Sequence, residues 1–169
     1  MSTVAPSGVS VLLGIGSNLG DRLQNIQSAV RHLDAERDIE VLVLSPVIET
    51  EPVGGPPQGR YLNAAAEIKT RLDPRSLLAI LHAEEARLGR ARAVRDGPRE
   101  IDLDILLYGD LVLREPDLEI PHPRMLERGF VLAPLREIAP GRIHPLTHRS
   151  IEEHWRSFHE RSEVPGGAR

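Results

Sequence analysis

Residues 98–109 read PREIDLDILLYG. Ile101, Leu103, Ile105 and Leu107 recur at every second position, the period of a strand with one buried face. Asp102 and Asp104 fall between them, although aspartate is poor in strands. The strand rise sets their Cα atoms ~6.5–7 Å apart on the opposite face, which Leu106 and Tyr108 then share. One face is expected to pack on helices while the other presents two carboxylates to whatever lies above the sheet. A solvated polar face is the alternative. Two carboxylates so close repel one another unless a cation or arginines neutralise them. Mg²⁺ suits the pair, because it takes one or two carboxylates and fills its other positions with water and phosphate oxygens. Arg87, Arg90, Arg92, Arg95 and Arg99 crowd the segment just before it. Guanidinium forks match phosphate oxygens. For Arg87 and Arg95, solvated surface charge is the expectation.

Working outward, SVLLGIG (10–16) reads as a buried strand that ends in the turn-rich GSNLGD. Leu19, Leu23, Ile26, Val30 and Leu33 then recur at helical spacing and predict one apolar helix face. IEVLVLSPVI (39–48) reads as a second strand, with Pro46 marking an edge or a bulge. ETEPVGGPPQGR (49–60) is too rich in proline and glycine for regular structure. YLNAAAEIKT (61–70) reads as a third strand, and Asp73-Pro74 starts a helix that stops near Gly89. After the strand at 101–108, Gly109-Asp110 permits a turn into a short LVL strand. One or two short helices are expected around 123–138, and a last helix over 150–160. The order strand, helix, strand, strand, helix, strand predicts an α+β fold of the ferredoxin-like, split βαβ type. Its mainly antiparallel sheet is backed by helices, with extra C-terminal elements. The expected organisation is a single domain at 9–160 between flexible tails at 1–8 and 161–169.

The chain has 169 residues, 40% hydrophobic and 27% charged, as expected of one globular domain. Its formal net charge of −4 argues against general affinity for nucleic acid. With 3% aromatics, the exposed stacking surface of an RNA-binding sheet is not expected either. There is no cysteine, which fits a reducing compartment. No apolar run approaches the ~20 residues of a membrane span, and MSTVAPSGVS lacks a basic region before an apolar stretch. A soluble, cytoplasmic protein is expected, with no membrane partner.

GPREIDLDILLYG resembles the signature of the 6-hydroxymethyl-7,8-dihydropterin pyrophosphokinases of the folate pathway. GIGSNLGDR, ETEPVG, RYLNAAAEI and IPHPRMLERGFVLAPLREIAP agree with the same family in the same order, so the likeness covers about residues 9–140. The resemblance implies transfer of diphosphate from ATP to the pterin hydroxymethyl group with release of AMP. It implies two Mg²⁺ ions held by Asp102 and Asp104. Arg90, Arg92 and Arg99 match arginines on the ATP phosphates, and Arg90 and Arg99 join the two aspartates as the expected catalytic set. His122 and Arg128 match further triphosphate positions; a structural loop histidine is the alternative for His122. Ile105 and Glu85 match ATP-side positions, Glu85 near the ribose, with a surface helix carboxylate as its alternative. Phe130 and Tyr61 match the ring walls of the pterin, against the alternative of plain core. Asn63 matches the amide that reads the pterin edge, and Gly16, Thr50 and Val53 match pocket-lining positions. Residues 49–60 and 91–99 fit lids that close over substrate.

The chain departs from the family pattern at Glu51, Asp96 and Pro123, and nothing after residue 140 matches specifically. A monomer is expected, with ATP and the pterin as partners. Two other readings remain: another Mg²⁺-dependent nucleotidyl or phosphoryl transferase on a ferredoxin-like sheet, and a non-enzymatic ferredoxin-like binding module.

Overall fold

The structure, a computed structural model, describes residues 7–89 and 97–163. Seven strands and four α-helices follow in the order β1 (Val9–Ser17), α1 (Arg22–Asp34), β2 (Ile39–Leu44), β3 (Ile48–Thr50), β4 (Tyr61–Thr70), α2 (Pro74–Arg87), β5 (Asp102–Tyr108), β6 (Leu113–Glu115), β7 (Leu118–Ile120), α3 (Gly129–Ile138) and α4 (Ile151–Glu163) among the described residues. A 3-10 turn, Met125–Glu127, precedes α3.

The main sheet runs β2-β4-β1-β5, and every pair in it is antiparallel. This is the ferredoxin-like arrangement that the split βαβ order predicts. α2 starts as expected: the Asp73 carboxylate accepts the Ser76 backbone N–H at 2.9 Å, and Pro74 takes the first helical position. The expected second strand is two strands. β2 and β3 both pair with β4, and Ser45-Pro46-Val47 separates them. Pro46 has no N–H for a ladder, and the buried Ser45 bridges the gap. Its N–H donates to the Ala65 carbonyl, and its Oγ accepts the Ala65 N–H, both at 2.8 Å. Regular structure therefore reaches Thr50, two residues into the stretch expected to be irregular. The LVL strand begins only at Leu113 and forms a hairpin with β7, leaving Leu111 and Val112 exposed.

Two apolar layers sandwich the sheet. On one face Ile26 and Leu33 of α1 and Leu77 and Leu81 of α2 pack on Leu13, Ile15, Leu103 and Ile105. On the other, Met125, Leu135 of α3 and Ile151 of α4 pack on Leu12, Ala65 and Leu106. Leu19 and Leu23 do not join the helix face. Leu19 lies in the turn before α1, Leu23 sits in its first turn, and both are exposed. The last helix runs to Glu163. No helix among the described residues is long and apolar enough to cross a membrane.

The strand that carries the aspartates breaks its alternation once. Leu12 lies opposite Leu107 while Leu13 lies opposite Ile105, so Leu106 is an extra residue, a β-bulge. Beyond it the faces exchange. Leu107, expected beside Ile105, turns to the α3–α4 layer with Leu106, and Tyr108 packs on the α1–α2 layer. The Leu106 carbonyl accepts the His122 backbone N–H at 2.9 Å, tying the chain after β7 to the edge strand β5.

Leu107→Ala should cost about 2–5 kcal/mol in urea unfolding, as for a fully buried leucine. A double-mutant cycle should show coupling with Ile151 and simple additivity with Leu77. Coupling to Leu77 instead would place Leu107 on the other face.

Candidate active site

Alternation along the central strand sets the floor of the site. Gly14 and Gly16 of β1 point to the α3–α4 side, where any other residue would raise a side chain. Gly16 lies between Asn63 of β4 and Asp102 of β5, and Gly14 between Ala65 and Asp104. A Cβ on Gly16 would stand 3.0 Å from Asn63 Oδ1 and 3.4 Å from the Tyr61 ring. Glycine thus lets polar groups lean over the middle of the sheet. Helices α3 and α4 cover the half of this face at Leu12, Leu106 and Leu107 and stop short of the glycine half.

The uncovered half is a cavity of about 710 Å³. Every site residue expected from the sequence that falls among the described residues lines it: Gly16, Thr50, Val53, Tyr61, Asn63, Glu85, Arg99, Asp102, Asp104, Ile105, His122, Arg128 and Phe130. Arg90, Arg92, Arg95 and Asp96 lie outside the described residues. Glu51 and Pro123, two departures from the family pattern, also line the cavity, and Glu51 pairs with Arg60 at 2.7 Å. Arg87 stands largely in solvent, as expected.

Three elements hold the carboxylate end. Asp102 and Asp104 project from β5 on the side of Gly14 and Gly16. Arg99 reaches Asp102 at 3.2 Å, and Arg128 adds positive charge from the loop before α3. Burial pushes Asp104 up to about 7; the neighbouring Asp102 charge adds to this, and Arg128 and Arg99 oppose it. Burial also holds His122 below its ordinary value, with Arg128 and Arg124 acting the same way. Its Nδ1 accepts the Arg124 backbone N–H at 3.1 Å, which assigns the ring proton of the neutral form to Nε2. Two carboxylates beside arginines, one of them held high by burial, make a donor set of hard oxygens that fits Mg²⁺ carrying phosphate oxygens.

The other end is neutral and flat-walled. Asn63 Nδ2 donates to Thr50 Oγ1 at 2.6 Å, which leaves its Oδ1 on the Gly16 side. Tyr61 and Phe130 are both half-buried, so neither is plain core. The Arg128 guanidinium lies 5.6 Å from the Phe130 ring centroid, a cation–π contact that joins the two ends. Glu85 is 2% exposed, so its reading as a surface helix carboxylate does not hold.

Asn18 was not among the expected site residues. It is 7% exposed, and its backbone N–H and both ends of its side-chain amide are hydrogen-bonded. Its N–H donates to the Arg99 carbonyl at 3.0 Å, and its Oδ1 accepts the Arg99 N–H at 2.8 Å. Its Nδ2 donates to Gln58 Oε1 at 2.8 Å and to the Gly59 carbonyl at 3.2 Å. One asparagine therefore fastens the irregular segment 51–60 to the residue that faces Asp102. In the sequence, GSNLGD signals only a turn, because its partners are 40 and 81 positions away.

A family model described as 7,8-dihydro-6-hydroxymethylpterin-pyrophosphokinase matches residues 12–140. The chain is 42% identical over 144 residues to a 2-amino-4-hydroxy-6-hydroxymethyldihydropteridine pyrophosphokinase of Aquifex aeolicus, across 85% of this chain and 89% of that protein. It is 43% identical over 141 residues to the folic acid synthesis protein fol1 of Schizosaccharomyces pombe, across 83% of this chain. It spans only 19% of that longer protein. A crystal structure of Plasmodium falciparum HPPK-DHPS shares the fold with a TM-score of 0.76 at 16% identity, across 93% of this chain and 46% of that one.

Because folding raises the Asp104 pKa above that of a free carboxyl, its stabilising contribution is present in acid and fades as pH rises through about 7. In buffer free of divalent cations, Asp104→Asn should therefore gain melting temperature relative to the parent as pH is raised from 5 to 8.5. Added Mg²⁺ should close that gap at pH 8.5. A difference independent of pH would show that Asp104 is ionised throughout.

Proposed function

The chain belongs to the 7,8-dihydro-6-hydroxymethylpterin-pyrophosphokinase family, and from that premise we propose that it transfers diphosphate from ATP to 6-hydroxymethyl-7,8-dihydropterin in folate biosynthesis. The products are the pterin diphosphate and AMP. One observation carries the reading: a single cavity joins a carboxylate-and-arginine end to a neutral, ring-walled end across a glycine floor. The first end suits a triphosphate, the second a flat heterocycle with a hydrogen-bonding edge. Among the described residues no group of three or more carboxylates or histidines is placed to hold a metal, and a pair of carboxylates suits Mg²⁺ ions that complete their shells with water and phosphate oxygens.

In the reaction the pterin hydroxyl oxygen forms a bond to the β-phosphorus. The bond from that phosphorus to the oxygen bridging the α-phosphate breaks, AMP departs with that oxygen, and the hydroxyl loses its proton. Asp102 and Asp104 would hold Mg²⁺, which neutralises phosphate charge when bound. Arg99, fixed at its backbone by Asn18, and Arg128 meet charge on the phosphates. A guanidinium aimed in advance at those oxygens needs no reorganisation as charge moves towards AMP. His122, neutral through burial, offers an N–H donor without adding a further positive charge. Asn63, oriented by Thr50, reads the pterin edge, while Tyr61 and Phe130 wall its rings. Held this way, hydroxyl and phosphorus approach as if in one molecule. Arg90 and Arg92 are assigned to the same phosphates, and Glu85 and Ile105 to the nucleoside side. Gly16 and Val53 line the pterin side. A monomeric state and a cytoplasmic location are part of the same proposal.

Purified protein given ATP and Mg²⁺ should release AMP only when the pterin is present, and Asp104→Asn should abolish this while remaining folded. Pyrophosphate released from ATP without pterin would favour a different nucleotidyl transferase. Salt-sensitive binding of single-stranded RNA with no turnover would favour a binding module. Phe130→Ala should raise the KM for pterin about tenfold, through the lost ring contact, and the KM for ATP much less. Equal rises would make the ring a packing residue.

A further inference from the structure

Helix α4 begins at Ile151, past residue 140 where the family match ends. Its inward face carries Ile151 and His154, both buried, with Trp155 and Phe158 partly buried beside them, at the spacing i, i+3, i+4, i+7. Ile151 enters the buried layer with Met125 and Leu135. Trp155 lies under the Arg136 guanidinium at 5.6 Å, and Arg136 also pairs with Glu152 at 2.7 Å. Phe158 stacks on Trp155, with centroids 6.4 Å apart and planes at 22°.

The far edge of the Phe158 ring meets Gly129. A Cβ at position 129 would lie 2.7 Å from Phe158 Cε1 and 3.1 Å from Cζ, so the backbone there rests directly on the ring. Gly129 opens α3, and no side chain caps that helix start by a hydrogen bond. The residues on either side of Gly129 are Arg128 and Phe130. Both line the cavity, and they contact each other. The corner that carries a phosphate-side cation and a ring wall is therefore set by packing, and α4 supplies the packing surface.

We propose that Phe158 is a positioning residue for the reaction: its ring is the stop against which the Arg128–Gly129–Phe130 corner is held. The inference rests on the function proposed above. Removing the ring leaves a void beneath Gly129 into which the corner can shift, and a shift on the order of 1 Å in groups that bind both substrates is felt in turnover. Both ends of the cavity should weaken together, because both residues sit on the one corner.

The test is steady-state kinetics of the full chain bearing Phe158→Ala. The KM for pterin and the KM for ATP should each rise about tenfold, and Phe158→Leu should recover most of the loss. Gly129→Ala, which crowds the same contact from the other side, should show the same double rise. Combining it with Phe158→Leu should bring both constants back towards the parent. Protection of the Ile151 amide, which donates to the Arg142 carbonyl, against hydrogen exchange reports that α4 stays docked in each variant. A lower melting temperature with kcat and both KM values unchanged would overturn the proposal and leave Phe158 a packing residue. A parent chain that makes no AMP would defeat the proposed function itself. Equilibrium titration with the pterin would then decide the buttress: weaker binding to Phe158→Ala supports it, and equal binding overturns it.

Discussion

The antiparallel pairing of β1 with β4 on one side and β5 on the other is the constraint on which the rest of this structure depends. It sets Gly16 between Asn63 and Asp102, and Gly14 between Ala65 and Asp104. Three strands distant in sequence thereby bring an amide, a bare backbone and two carboxylates onto one surface. Because side chains alternate, the same register sends Leu13, Ile15, Leu103 and Ile105 to the opposite face. Burying that face against α1 and α2 holds the register, since a slip of one residue would turn every leucine outward and every aspartate inward.

Against this floor the charges are set so that they are incomplete alone. Asp102 and Asp104 lie close on one strand, and the burial that protects the site also makes Asp104 harder to ionise, holding its pKa up to about 7. Arg99 and Arg128 offset this only in part. Under the proposed function, a bound cation and a polyphosphate would supply what these groups lack: positive charge for the carboxylates and negative charge for the arginines. Stability and binding are linked here through the same groups.

The supports of the site are polar on one side and apolar on the other. Asn18 uses four hydrogen bonds to tie segment 51–60 to Arg99. Across the cavity, Arg128 and Phe130 rest on packing, with Gly129 against Phe158. The bulge at Leu106 belongs to both kinds of support. It turns Leu107 into the α3–α4 layer, and the carbonyl of the extra residue holds His122.

Periodicity and local chemistry made much of this legible in the sequence. The ten-residue strand at 61–70, the Asp73-Pro74 helix start and the order of elements all follow from signals within a few residues. The motif residues Asp102, Asp104, Asn63, Tyr61 and Phe130 could be named because the family resemblance preserves their neighbours along the chain. What the sequence could not supply depends on partners far away. Pro46 announced an interruption, but that Ser45 would bridge it needed Ala65 beside it. Alternation put Leu107 with Ile105, and only the register of β1 against β5 showed an extra residue between them. Leu23 fitted the helix stripe, yet in the first turn of α1 it stays exposed. A surface position was the alternative for Glu85, and its burial in the cavity wall rules that alternative out. The sequence by itself determined which segments become strands and helices and which side chains carry charge or rings, because those are properties of short windows. Only the tertiary structure decided which of these groups face one another, since the pairing of strands and the packing of α4 on Gly129 are settled by contacts between residues tens of positions apart.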